Sequence, residues 1–132
     1  MQLQICDLRP APTRAQLEQE LFRRLREGEA LSAWEAGLLL PSREDFTRLW
    51  RFLERTCAGG RVSAGPALLR EAARRPDGRW AYGRTLVCFH EMGERGLLRV
   101  EESELHLCRP ERKVDLEQAE LMRQLRCFLD GD

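Results

Sequence analysis

Lysine is nearly absent. Of the 22 basic residues only Lys113 is a lysine, and the other 21 are arginines. No apolar run approaches the ~20 residues that a bilayer-spanning helix needs. The opening "MQLQICDLRP" has neither the basic stretch nor the apolar core of a secretory signal. A cytoplasmic location without a membrane partner is therefore expected. The five cysteines (6, 57, 88, 108 and 127) are odd in number, widely spaced and form no CxxC pair. That argues against a disulfide framework and for thiols packed as small apolar groups. The chain also lacks a glycine-rich phosphate loop, a nucleophile elbow, an HExxH pair and an aspartate cluster. These absences predict no catalytic residues and no cofactor.

What is present is a highly charged, globular composition of 132 residues, 42% apolar and 33% charged, with a formal net charge of zero. A neutral total argues against a bulk polyanion binder. The charge is nevertheless uneven. Residues 41–100 carry twelve basic and seven acidic groups, whereas residues 101–132 carry five and nine. The wealth of arginine reads first as a coding bias and second as a capacity for phosphate contacts.

Alternation in "QLQIC" predicts a short strand over 2–6, broken by Asp7, Pro10 and Pro12. Thr13 and Gln16 form a capping box ahead of Leu17, Leu21 and Leu25, and Gly28 closes that helix. "ALSAWEAGLLLP" reads as a second strand with a loop. Residues 1–40 thus predict a partial strand–helix–strand unit whose remaining sheet is missing, or else a self-contained hairpin on the second domain.

Ser42 with Asp45 caps the next helix, which carries Phe46, Leu49, Trp50, Leu53 and Cys57 on one stripe and Arg43, Arg48, Arg51 and Arg55 outside it. "AGG" at 58–60 ends it. A further helix starts at Gly65-Pro66 and stops before the turn Pro76-Asp77-Gly78. "WAYGRTLVCFHEMGER" predicts a third helix, with Tyr82, Leu86, Phe89 and Gly93 at helical spacing and Gly96 as its terminator. Leu98 and Val100, then Leu105 and Leu107, flank "EESE" as a β-hairpin. Asp115 and Gln118 cap a last helix with Leu121, Met122, Leu125, Phe128 and Leu129. The expected fold is α+β: a winged-helix-like domain over 41–132, with three helices, a hairpin and a C-terminal helix, behind the partial α/β segment 1–40.

Candidate sites follow from the basic middle. Arg70, Arg74, Arg75, Arg79 and Arg84 lie on or between the second and third helices, where guanidiniums would neutralise phosphates. Trp34, Trp50, Trp80 and Tyr82 could stack bases; Trp50 belongs to the apolar stripe, and Trp80 and Tyr82, beside Arg79 and Arg84, are the better candidates. The competing reading is a solvated helix face. Glu101, Glu102 and Glu104 make the hairpin turn acidic, so any DNA contact is expected from the helices. Cys88, His90, His106 and Cys108 are zinc-ligand types, but Cys88 and His90 point about 200° apart on a helix. Ordinary packing is favoured, with no metal.

"LPSREDFTRLWRFLER", "LVCFHEMGERGLL" and "KVDLEQAE" resemble, in order and spacing, the C-terminal domain of bacterial RecJ-family single-stranded-DNA-specific exonucleases, those of Firmicutes above all. Pro41, Ser42, Arg43, Glu44 and Phe46 fit the first motif. Phe89, Glu91 and Met92 fit the second, with methionine where the family has leucine, and Lys113, Asp115 and Leu116 fit the third. The resemblance implies a parent enzyme that degrades single-stranded DNA from its 5′ end in repair and recombination. Its metal-binding "D-H-H" core has no counterpart here. This chain is then expected to be a non-catalytic accessory region. Its partners would be single-stranded DNA, a single-strand-binding protein or a helicase, and the catalytic core itself. The alternatives are a stand-alone winged-helix transcription regulator, which would want a basic wing, and a purely protein-binding adaptor.

Overall fold

Three reciprocal capping boxes set the first three helices. In the computed structural model, which describes residues 13–74, 81–109, 114–116 and 119–130, each pairs a side-chain oxygen with an orphan backbone N–H of the first turn. Thr13 and Gln16 start α1 (Arg14–Arg26), Ser32 and Glu35 start α2 (Ala33–Leu39), and Ser42 and Asp45 start α3 (Arg43–Ala58). Gly65, with Pro66 behind it, opens α4 (Pro66–Ala73). Helix α5 (Tyr82–Glu94) ends at a glycine, Gly96, whose φ of 77° only glycine adopts without strain. The hairpin β1 (Leu98–Glu101) and β2 (Glu104–Leu107) follows, then α6 (Glu120–Asp130).

The hairpin register is the one the alternation predicts: Leu98 faces Leu107 and Val100 faces Leu105. Glu102 and Ser103 turn it with φ of 50° and 66°, the doubly left-handed geometry of a type I′ turn. A third extended piece joins on the far side of β2. Leu105 donates its N–H to the Val62 carbonyl at 2.9 Å, and Ala64 donates to the Ser103 carbonyl at 2.8 Å. The chain order is thus α3, a short extended segment, α4, α5 and the hairpin.

One expectation fails outright. Where a second strand was expected the chain forms helix α2, Ala33–Leu39. The apolar run "LLL" suggested a strand, but the Ser32–Glu35 box nucleates a helix, and Ala36 and Leu39 then bury one face of it. The strand–helix–strand unit therefore loses its second strand, and the strand at 2–6 lies outside the described residues. Leu21, Leu25, Leu31, Ala36 and Leu39 share one buried cluster with Phe46, Leu53, Val87, Met92 and Leu125. Among the described residues, the segment before residue 41 has no core of its own.

Helix α5 lies at the centre of that cluster, and its seat depends on α1. Its N-terminus has no side-chain cap of its own. Glu18 of α1, 2% exposed, supplies one by accepting the Gly83 N–H at 2.8 Å, which places a carboxylate at the positive end of the helix. Gly83 is required sterically. A Cβ there would stand 2.5 Å from Leu39 Cδ2 and 3.0 Å from Glu18 Oε1. The arrangement recurs at α6, where the Leu121 N–H donates to Glu91 Oε1 at 3.3 Å. That helix begins at Glu120, later than the Asp115–Gln118 box would place it, and Gln118 lies outside the described residues.

Candidate nucleic-acid interface

The spacing of Arg48, Arg51 and Arg55 (i, i+3, i+7) puts three guanidiniums on one flank of α3, beside its apolar stripe. In the fold that flank meets the C-terminal end of α4 and the first turns of α5. The result is a cleft of about 590 Å³. Arg48, Arg51 and Arg55 line it from α3, Arg74 from the end of α4 and Arg84 from α5, with Asp45 and Glu71 as the acidic members. Leu49, Phe52, Ala73 and Cys88 form its apolar floor.

Several guanidiniums elsewhere on the protein are paired. In α1, Arg14 holds Glu18 at 3.0 Å, Arg23 is bonded to Glu20 and Glu27, and Arg24 reaches Glu35 at 3.2 Å. Further on, Arg109 holds Glu54 at 2.7 Å and Arg99 holds Glu101 at 3.0 Å. The cleft is different. Among the described residues, Arg48, Arg51, Arg55 and Arg74 take part in no salt bridge. Arg84 is tethered by a hydrogen bond from Nη2 to the Gly37 carbonyl at 3.1 Å. Asp45 is committed to its cap, accepting from the Ser42 N–H at 2.8 Å. Five cations against two carboxylates leave a local positive excess that suits an anion such as a phosphodiester.

The sequence-derived candidates divide. Arg74 and Arg84 enter the cleft, and Arg70 is exposed on α4 without lining it. Tyr82 is withdrawn as a stacking residue. It is 6% exposed, and its hydroxyl accepts a hydrogen bond from Gln19 Nε2 at 2.9 Å. Arg75, Arg79 and Trp80 lie outside the described residues. Trp50 is half-buried against the core, and Trp34 is 67% exposed on the first turn of α2. Arg48, Arg51 and Arg55 are the additions. Their 3-4 spacing was visible in the sequence, but not the elements they face.

On the other side of α4 and α5 lies an apolar groove of about 350 Å³. Leu68 and Leu69 of α4, Leu86, Phe89 and Gly93 of α5, and Leu98, Val100 and Leu105 of the hairpin contribute to it. The residues at helical spacing over 82, 86, 89 and 93 are therefore divided. Tyr82 is buried, while Leu86, Phe89 and Gly93 border the groove. The fully buried face of α5 is instead Gly83, Val87, Cys88, Glu91 and Met92. Phe22 and Arg26 of α1 form one wall, with the Phe22 ring edge-on to His90 at 6.1 Å.

Cys88 and His90 accordingly diverge, the one into the core and the other to the groove. Burial, reinforced by the charges of Asp45 and Glu91, pushes the Cys88 thiol far above its usual range and keeps it protonated. Among the described residues no three His, Cys, Asp or Glu side chains gather as a metal site would need, and no helix is long and apolar enough to cross a membrane.

No family model, curated protein or solved structure matches the chain.

Proposed function

We propose that this chain is a non-catalytic accessory region that holds single-stranded nucleic acid by its phosphate backbone in the α3–α4–α5 cleft, serving a nuclease of the RecJ type. The observation that carries the reading is the set of four arginines gathered in that cleft, Arg48, Arg51, Arg55 and Arg74, that take part in no salt bridge among the described residues. The order of α3, the 62–64 segment, α4, α5 and hairpin supports a winged-helix arrangement.

Two features argue against a duplex-reading regulator. In a helix-turn-helix protein the second helix of the pair enters the major groove. Here that helix is α5, and α1 covers it through Glu18–Gly83, Gln19–Tyr82 and Phe22–His90. The hairpin turn, with Glu101, Glu102 and Glu104, would meet phosphates with repulsion. Backbone contact without base readout is what remains, and it favours a flexible single strand that can follow the cleft.

Titration of labelled single- and double-stranded oligonucleotides at several salt concentrations tests this. Single-strand binding should weaken with salt, with a slope of about −0.7 per phosphate neutralised. The variant Arg48→Ala/Arg51→Ala/Arg55→Ala should lose roughly two units of that slope. Salt-independent behaviour, or no binding to either form, would overturn the reading. It would leave the protein-binding adaptor, for which the apolar groove is the supporting feature. A D-H-H phosphoesterase core found encoded upstream would tie the chain to the nuclease.

A further inference from the structure

Strand β1 has one edge against β2, while the far edge of β2 is already taken by residues 62–64. The hydrogen-bond pattern fixes which groups β1 turns outward. Cys108 donates to the Leu97 carbonyl at 2.8 Å, so 97/108, 99/106 and 101/104 are the hydrogen-bonded pairs. Leu105 directs its N–H away, to Val62. Leu98 and Val100 are thus in the non-hydrogen-bonded pairs, and their backbone N–H and C=O groups point away from β2; Leu98 is buried, so the open part of the edge is at Val100. Among the described residues nothing pairs with them. The side chains there are accessible: Val100 is 57% exposed, Arg99 58% and Glu101 56%.

We propose that this edge pairs with the β1 edge of a second copy of the chain, antiparallel, with Val100 opposite Val100 of the other copy. Residues 99–101 are self-complementary in that register and in no neighbouring one. With Val100 at the two-fold axis, Arg99 of each copy opposes Glu101 of the other, and the two valines exchange both backbone hydrogen bonds. Sliding by two residues one way sets Arg99 against Arg99, and sliding the other way sets Glu101 against Glu101. Sliding by a single residue turns the apolar and charged faces against each other. Charge on an edge strand ordinarily discourages pairing. Here the reciprocal signs select one pairing and penalise the rest. The two valines then meet on the groove side of the sheet, so that the apolar grooves of the two copies become continuous. The inference is independent of the nucleic-acid reading.

The contact is small and the association correspondingly weak. Sedimentation equilibrium of the full chain from about 10 µM to about 1 mM should show monomer and dimer. Arg99→Glu, which places two carboxylates opposite each other twice per dimer, should weaken the dimer about tenfold or more. The double exchange Arg99→Glu/Glu101→Arg restores opposite signs and should recover the original association. Circular dichroism confirms that these exposed-site variants stay folded. Val100→Cys gives a second readout. Directly paired residues of this kind have Cα atoms about 5.5 Å apart, within disulfide reach. Oxidation should therefore cross-link this variant and leave Arg99→Cys and the parent largely uncoupled. A parent that stays monomeric throughout, a dimer indifferent to Arg99→Glu, a double exchange that fails to recover, or cross-linking no greater at residue 100 than at 99 would each overturn the proposal.

Discussion

The cleft and the groove are lined by the same two helices, yet they differ in almost every respect. On α4 the C-terminal residues Glu71, Ala72 and Ala73 border the cleft, and the N-terminal Leu68 and Leu69 border the groove. On α5 Arg84, Thr85 and Cys88 look one way, and Leu86, Phe89 and His90 the other. The difference arises from what lies opposite. The cleft faces the arginine row of α3, and the groove faces the hairpin and the Phe22 end of α1. One pair of helices thus serves two chemistries, because helical periodicity separates them within three or four residues.

The largest break in this comparison should come from Gly83→Ala. The new methyl group would collide with Leu39 and Glu18 and push α1 off α5, disturbing the seat that both hollows share. A loss of about 3 kcal/mol in urea unfolding is expected. Phe89→Ala should separate the two sides. It removes a half-buried ring from the groove, should cost about 2 kcal/mol, and should leave salt-dependent oligonucleotide binding unaltered. The triple arginine variant should do the converse, abolishing most binding with little change in the unfolding midpoint.

A subtler effect concerns Glu91. Burial pushes its carboxyl above the usual glutamate range, against the opposing pull of His90, the Leu121 N–H and Arg95. A raised carboxyl pKa means that the folded state disfavours the charged form. Its contribution is therefore full below the ordinary glutamate pKa and is lost as pH rises through the raised value. Glu91→Gln retains an acceptor for Leu121 and should flatten that part of the stability–pH curve. The smallest expected change is at the hairpin turn. Glu102→Asn with Ser103→Gly suits both left-handed positions and should raise stability by about 1 kcal/mol without affecting the cleft.

Local chemistry was the legible part of the sequence. The Thr13 and Ser42 boxes, the Gly65-Pro66 start and the hairpin register all depend on residues within a few positions of one another, and the structure has them as read. The Ser32–Glu35 box was equally local, but it was masked by an apolar run that suits a buried strand as well as a buried helix. Long-range relations were not legible. Nothing in the spacing of Glu18 and Gly83, 65 residues apart, announces that one caps the other. For that reason Tyr82, at the start of α5, read as free to stack. The arginine row of α3 read as a solvated face for the same reason. Its i, i+3, i+7 pattern was visible, and the two helices that turn it into a cleft were not.

The borrowed carboxylates have a bearing on where the protein can be divided. A fragment beginning at Pro41 would keep every element of the α3-to-hairpin unit and look self-sufficient on paper. It would nevertheless present α5 with an uncapped first turn and strip the wall of Leu21, Leu25 and Leu39 from its core. The autonomous unit is therefore larger than the recognisable one: helix α1, which reads as the remnant of a neighbour, is the part that lets the rest stand alone.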